Sequence, residues 1–127
     1  MTRVLLVEDN EMNRDMLRRR LERKGFEVTL AGDGLEAICA ASERRPDLIL
    51  MDLNLPNLDG WEATRRIKAD ETLRQIPIMA LTANALVEDR QKAIDAGCDE
   101  FETKPVNFTR LLERIDSVLV KDNVGND

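Results

Sequence analysis

The chain of 127 residues contains no histidine, only two cysteines, aromatic residues at 3%, and no apolar stretch approaching the roughly 18 residues that cross a bilayer. Each absence excludes something. Without histidine the chain lacks the commonest general base, the Ser-His-Asp and Cys-His nucleophile pairs, and any phosphohistidine of its own. Cys39 and Cys98 alone can build neither a disulfide framework nor a zinc knuckle. Two unpaired thiols suit a reducing compartment, where they are expected as packed residues without redox duty. Met1-Thr2-Arg3 runs directly into a short apolar segment rather than a signal sequence, so the expectation is a cytoplasmic protein with no membrane attachment.

Acidic residues number 25 against 19 basic ones, a net charge of -6. That balance disfavours DNA and anionic membranes, because neutralising phosphates takes a basic face. A cation or a basic partner surface fits better, and any chemistry must run on carboxylates, hydroxyls, lysine or a metal. The length is that of one domain burying about two-thirds of its unfolded surface.

Five apolar runs recur, Val4 to Val7, Phe26 to Leu30, Leu48 to Met51, Ile76 to Leu81 and a weaker one at Cys98 to Phe101. Helical patterns separate them, and near-continuous apolar strands are what a parallel sheet covered on both faces requires. The expectation is therefore five βα units in a doubly wound α/β domain over residues 1–120, with a frayed polar tail at 121–127. Asn10 reads as the N-cap of a first helix with Met12, Met16, Leu17 and Leu21 inward, ended by Gly25. Asp33-Gly34 opens a second with Leu35, Ile38 and Ala41 inward, stopped by Pro46. A long loop from Leu55 to Gly60 precedes a third helix carrying Trp61, Ala63 and Ile67, and loops of that kind are often functional. A fourth helix is expected from about Asn84 to Ala96, and a fifth from Asn107 with Leu111, Leu112, Ile115, Val118 and Leu119 at helical spacing.

In such sheets ligands bind at the carboxyl ends of the strands. Glu8-Asp9 follows the first run, Asp52 the third, Thr82-Ala83 the fourth and Lys104-Pro105 the fifth. Carboxylates brought that close repel one another unless some are protonated or a divalent cation sits among them, and Mg²⁺ suits an all-oxygen set. With metal present, Asp52 can attack phosphorus as a nucleophile, while Thr82 and Lys104 can hold the oxygens of the transferred group.

At these residues the chain resembles the receiver domain of bacterial two-component response regulators. The resemblance rests on Val4-Leu5-Leu6-Val7-Glu8-Asp9-Asn10, Leu50-Met51-Asp52-Leu53-Asn54-Leu55-Pro56, Asp59-Gly60, Ala80-Leu81-Thr82-Ala83 and Lys104-Pro105, and it spans essentially the whole sequence. It implies a flavodoxin-like sheet of order 2-1-3-4-5. It also implies Asp52 as phosphoacceptor, charged by a sensor histidine kinase or histidine phosphotransfer protein. Asp9 would bind Mg²⁺ directly, Glu8 largely through water, and Asp52 and the backbone carbonyl of Asn54 would complete the protein ligands. Thr82 would swing toward the phosphoryl group, Lys104 would pair with it across a cis bond to Pro105, and Phe101 would be the switch aromatic, burying on activation. Phenylalanine stands where the family more often carries tyrosine, so no phenolic hydroxyl takes part. Asn54 and Asn84 fall at variable positions that tune phosphoryl lifetime.

The implied function is that of a single-domain regulator of the chemotaxis or DivK-like kind. It would catalyse only its own phosphorylation and dephosphorylation and signal to a downstream protein. A phosphorylation-dependent dimer through the face of helix 4, strand 5 and helix 5 belongs to the same implication. Alternatives are a receiver excised from a hybrid kinase, an Mg²⁺-dependent aspartyl-phosphate phosphohydrolase, which would want a second Asp where Asn54 stands, and a flavin protein, which Glu8-Asp9 disfavours by repelling phosphate. Plainer readings also exist: Glu8, Asp9 and Asn10 as a capping cluster, Arg18-Arg19-Arg20 and Arg44-Arg45 as solvated helix faces, and Trp61 and the methionines as packing.

Overall fold

The apolar runs become five parallel strands, β1 (Arg3–Val7), β2 (Glu27–Ala31), β3 (Leu48–Asp52), β4 (Ile78–Thr82) and β5 (Glu100–Thr103). They alternate with α1 (Glu11–Arg23), α2 (Gly34–Glu43), α3 (Gly60–Ala69), α4 (Val87–Ala96) and α5 (Phe108–Gly125). The computed structural model describes residues 2–53, 55, 57–82 and 87–125, with 87–89 and 121–125 by backbone alone. Sheet order is β2-β1-β3-β4-β5, as the resemblance implies.

Val4 to Val7 and all of β3 and β4 are buried, as strands covered on both faces must be. On one face Leu17 and Leu21 of α1 and Leu111, Ile115 and Val118 of α5 meet Val4, Leu6, Leu50 and Leu81. On the other, Ala37 and Ala41 of α2 and Ala63 and Ile67 of α3 meet Leu5, Val7, Ile49 and Met51. A smaller cluster joins Ala93 of α4 to Leu53, Ala80 and Phe101. Asn10, Asp33 and Asp59 cap α1, α2 and α3 through their side chains, each cap contributing about 1 kcal/mol.

Several sequence expectations are corrected. Met12 and Met16 are 82% and 47% exposed, because they share a face turned about 100° from Leu17 and Leu21. Leu35 is 51% exposed, since the inward face of α2 is Gly34, Ala37 and Ala41. Cys39 is exposed on α2 rather than packed. Phe26 and Ile76 precede their strands, and β5 lies two residues beyond the run at Cys98. The backbone of α5 stays helical past Val120, where a frayed tail was expected. Asn84, the expected start of the fourth helix, lies outside the described residues.

Candidate functional site

The strand register brings the strand ends to one edge. Val7 pairs with Met51, and Glu8 N–H continues the ladder to the Ala31 carbonyl at 3.1 Å. Asp52 pairs with Leu81, Thr82 with Thr103, and Lys104 N–H donates to the Thr82 carbonyl at 2.7 Å. Because β1 and β3 are neighbours from which the chain winds in opposite directions, the groups that follow them flank the topological switch point.

Glu8, Asp9 and Asp52 each place a carboxylate oxygen so that the three atoms lie within 4.8 Å of one another. Glu8 and Asp52 are buried, while Asp9 is exposed and opens the cluster to solvent. Lys104 Nζ donates to Asp52 Oδ2 at 2.9 Å and to Glu8 Oε2 at 3.2 Å. Burial first, then the hydrogen bond and the charge of Asp52, push the Glu8 carboxyl up to about 7, with Lys104 pulling the other way. Burial opposes the charge on Lys104, but the hydrogen bond and charge of Asp52 outweigh it and raise the ammonium. One ammonium among three carboxylates leaves the site short of positive charge. An all-oxygen donor set with an exposed member fits a hard divalent cation.

Thr82 ends β4 and is 2% exposed, and the peptide bond between Lys104 and Pro105 is cis. Phe101 is 9% exposed and packs with Leu53, Ala80 and Ala93, with Trp61 partly buried against them. The expected inward movement of Phe101 therefore has no outward starting point here. Asn54, Ala83 and Asn84 lie outside the described residues.

Two contributors escaped the sequence reading. Arg14 Nη1 donates to the Glu8 carbonyl at 3.2 Å, holding the β1–α1 loop, and nothing in its spacing announces this. Glu102, 2% exposed beside Phe101, is bound by Arg110 Nη2, at 2.6 Å, and Arg114 Nε, at 3.1 Å. Arg19 and Arg20 are exposed, as a solvated face should be, and Arg18 is half-buried; Arg18 and Arg19 pair with Asp15, while Arg20 lies 5.7 Å from the ring centroid of Phe108.

Comparisons with known proteins define the class. Residues 4–116 match the response regulator receiver domain family, and the chain belongs to it. The polar-differentiation response regulator DivK of Brucella anthropi is 43% identical over 116 residues, covering 91% of this chain and 94% of that protein. Among solved structures, the receiver domain of a Pseudomonas aeruginosa sensor histidine kinase, described with a magnesium ion in its active site cleft, is 42% identical with a TM-score of 0.87. That match covers 93% of this chain and 97% of that one. The Vibrio cholerae chemotaxis protein CheY4 superposes with a TM-score of 0.88 at 32% identity, over 93% of this chain and 98% of its own. The chain is thus a receiver domain homologous to single-domain phosphoryl-accepting signalling proteins. Among the described residues no helix is long and apolar enough to cross a membrane.

Proposed function

We propose that Asp52 accepts a phosphoryl group from the phosphohistidine of a sensor histidine kinase or a histidine phosphotransfer protein. The observation that carries this reading is a buried Asp52 carboxylate, 2.9 Å from Lys104 and within 4.8 Å of ligand oxygens on Glu8 and Asp9. Glu8, Asp9 and Asp52, with the backbone carbonyl of Asn54, are the residues that would hold Mg²⁺. When bound, Mg²⁺ supplies the missing positive charge and polarises a phosphoryl oxygen.

An Asp52 carboxylate oxygen forms the new P–O bond while the P–N bond to the donor imidazole breaks, its electron pair returning to the ring nitrogen. Lys104 donates from its ammonium, and Thr82 from its hydroxyl, to oxygens of the transferred group. New charge-assisted bonds at Thr82 and Lys104 bias the ends of β4 and β5, where Phe101 packs against Ala80 and Ala93. The readout is binding of a downstream protein, or of a second phosphorylated copy, to the α4, β5 and α5 face. The chain acts in the cytoplasm and catalyses no reaction beyond its own phosphorylation and dephosphorylation.

Acetyl phosphate with Mg²⁺ should add one phosphoryl group, read by intact mass, and EDTA or Asp52→Asn should abolish it. Full acyl-phosphate labelling of the Asp52→Asn protein would sink the assignment. A second reading, a receiver working within a hybrid kinase, is favoured by the 42% identity to a kinase receiver. An immunoblot of the native protein near 14.5 kDa would argue against it.

A further inference from the structure

Four of the five strands lead into a group of the cleft: Glu8 and Asp9 follow β1, Asp52 and Thr82 close β3 and β4, and Lys104 follows β5. β2 ends on Ala31 with Gly32 after it and contributes none. Its turn is nevertheless tied to the loop that leaves Asp52. Gly34 N–H donates to the Leu58 carbonyl at 3.1 Å, and Asn57 Nδ2 donates to Asp33 Oδ2 at 2.8 Å. The two backbones approach so closely that a Cβ on Gly34 would lie 2.2 Å from the Leu58 oxygen. Asp33 divides its carboxylate between two duties, because its other oxygen accepts from Glu36 N–H at 2.8 Å and caps α2. Asn57 meets it from a left-handed backbone, φ 63, which asparagine tolerates better than most residues.

The same loop is closed at its base on Asp52 itself. Gly60 N–H donates to the Leu53 carbonyl at 3.2 Å, and a Cβ on Gly60 would lie 2.2 Å from the Asp52 carbonyl oxygen. One end of the loop is therefore seated on the backbone of Asp52, and its far side is held against the turn at Asp33 and Gly34.

We infer that the β2–α2 turn positions the loop beside Asp52, and that Asn57 is the positioning residue, acting through its hydrogen bond to Asp33. The inference rests on the reading of Asp52 as phosphoacceptor. Asn57 touches no reacting atom in this arrangement; it holds the far side of a loop whose base is seated on Asp52, and displacements of about an ångström or less at a reacting group alter rates.

The chemistry of the pair allows a reciprocal exchange. D33N keeps the α2 cap, for which asparagine serves as well as aspartate, and Asn57 can meet the new amide donor by turning its own amide oxygen toward it, so this variant is the conservative control. N57D sets two carboxylates against each other. In D33N/N57D the amide introduced at 33 donates to the carboxylate introduced at 57, and the bond is restored in reverse.

Lifetime of the phosphoryl group on Asp52 and Mg²⁺ dependence of labelling are measured by intact mass after acetyl phosphate is removed, with thermal midpoints recorded alongside. N57D should shift the lifetime about three- to tenfold, D33N less than about twofold, and the double should return to within about twofold of the parent. N57G, which keeps the left-handed backbone and removes only the amide, should behave like N57D and retain its thermal midpoint. N57D and N57G both within about twofold of the parent, or a double no better than N57D, overturn the inference. A parent that takes no label, or a labelled Asp52→Asn, overturns the reading of Asp52 and the inference with it. Parent and Asp52→Asn both carry an intact Asp33–Asn57 pair, so the two failures are distinct.

Discussion

Two acid–base clusters lie on either side of the β5–α5 connection, each built on a buried glutamate. Glu8 is 1% exposed and Glu102 2%. In the cleft, Glu8 and Asp52 share the ammonium of Lys104, and Asp9 adds a third carboxylate, with no second lysine or arginine paired to them among the described residues. On the α5 side, Glu100 and Glu102 are matched by Arg110 and Arg114, with Arg114 Nη1 also donating to the Phe101 carbonyl at 2.7 Å. The difference is one of neutralisation. A balanced buried cluster holds two elements together and has no charge left to act on a ligand. An unbalanced one is destabilising by itself and becomes favourable when a cation enters, which is how a binding site differs from a brace.

The sharpest way to break the comparison is to remove each glutamate. Glu102→Ala removes the buried partner of two part-exposed arginines, of which Arg114 keeps Glu100, and should cost about 2 kcal/mol of stability, measured by urea unfolding. A loss below about 1 kcal/mol would mean that the brace is a surface pair. Glu8→Gln should do the reverse in metal-free protein above neutral pH. The folded carboxyl titrates at about 7 against 4.5 when unfolded, so its contribution is intact below pH 4.5 and is lost as pH rises through 7. The thermal midpoint of the parent in EDTA should therefore fall relative to Glu8→Gln across that window, with a gap on the order of 2 kcal/mol at pH 8. A gap that does not change with pH would refute the unbalanced charge.

Smaller effects sharpen the contrast. Mg²⁺ should stabilise the parent, and Asp9→Asn should weaken its binding about tenfold, followed through the fluorescence of Trp61. Unchanged affinity would remove Asp9 from the ligand set. Arg110→Met leaves Arg114 on Glu102 and should cost only about 1 kcal/mol, with no change in Mg²⁺ affinity. A coupled loss of affinity would show that the two clusters are one network.

Much of this was legible from the amino-acid order because the local signals agree with the tertiary outcome. Asp33-Gly34 reads as a helix start and is one, and the third helix begins where the loop ending at Gly60 was expected to give way to it. Asp52 at the end of an apolar run is an expensive cap if it has no function, and its site is where the acidic residues after β1 converge. The errors share one cause. Met12, Met16 and Leu35 are apolar and at plausible spacing, but a helix buries only the stripe its neighbours cover, and the sheet covers Leu17, Leu21, Ala37 and Ala41. Glu102 and Arg14 were invisible because their partners lie on a neighbouring helix or on the backbone of another loop.

The sequence by itself determined the alternation of strand and helix, the strand ends that carry charge, and the lack of any histidine, since composition and periodicity are properties of the chain alone. Only the tertiary structure decided which charges are compensated. Pairing Val7 with Met51 sets Glu8 beside Asp52, and packing α5 on β5 sets two arginines on Glu102. Charge balance in a buried cluster depends on distances of a few ångströms between residues far apart in sequence, and those distances exist only once the sheet has formed.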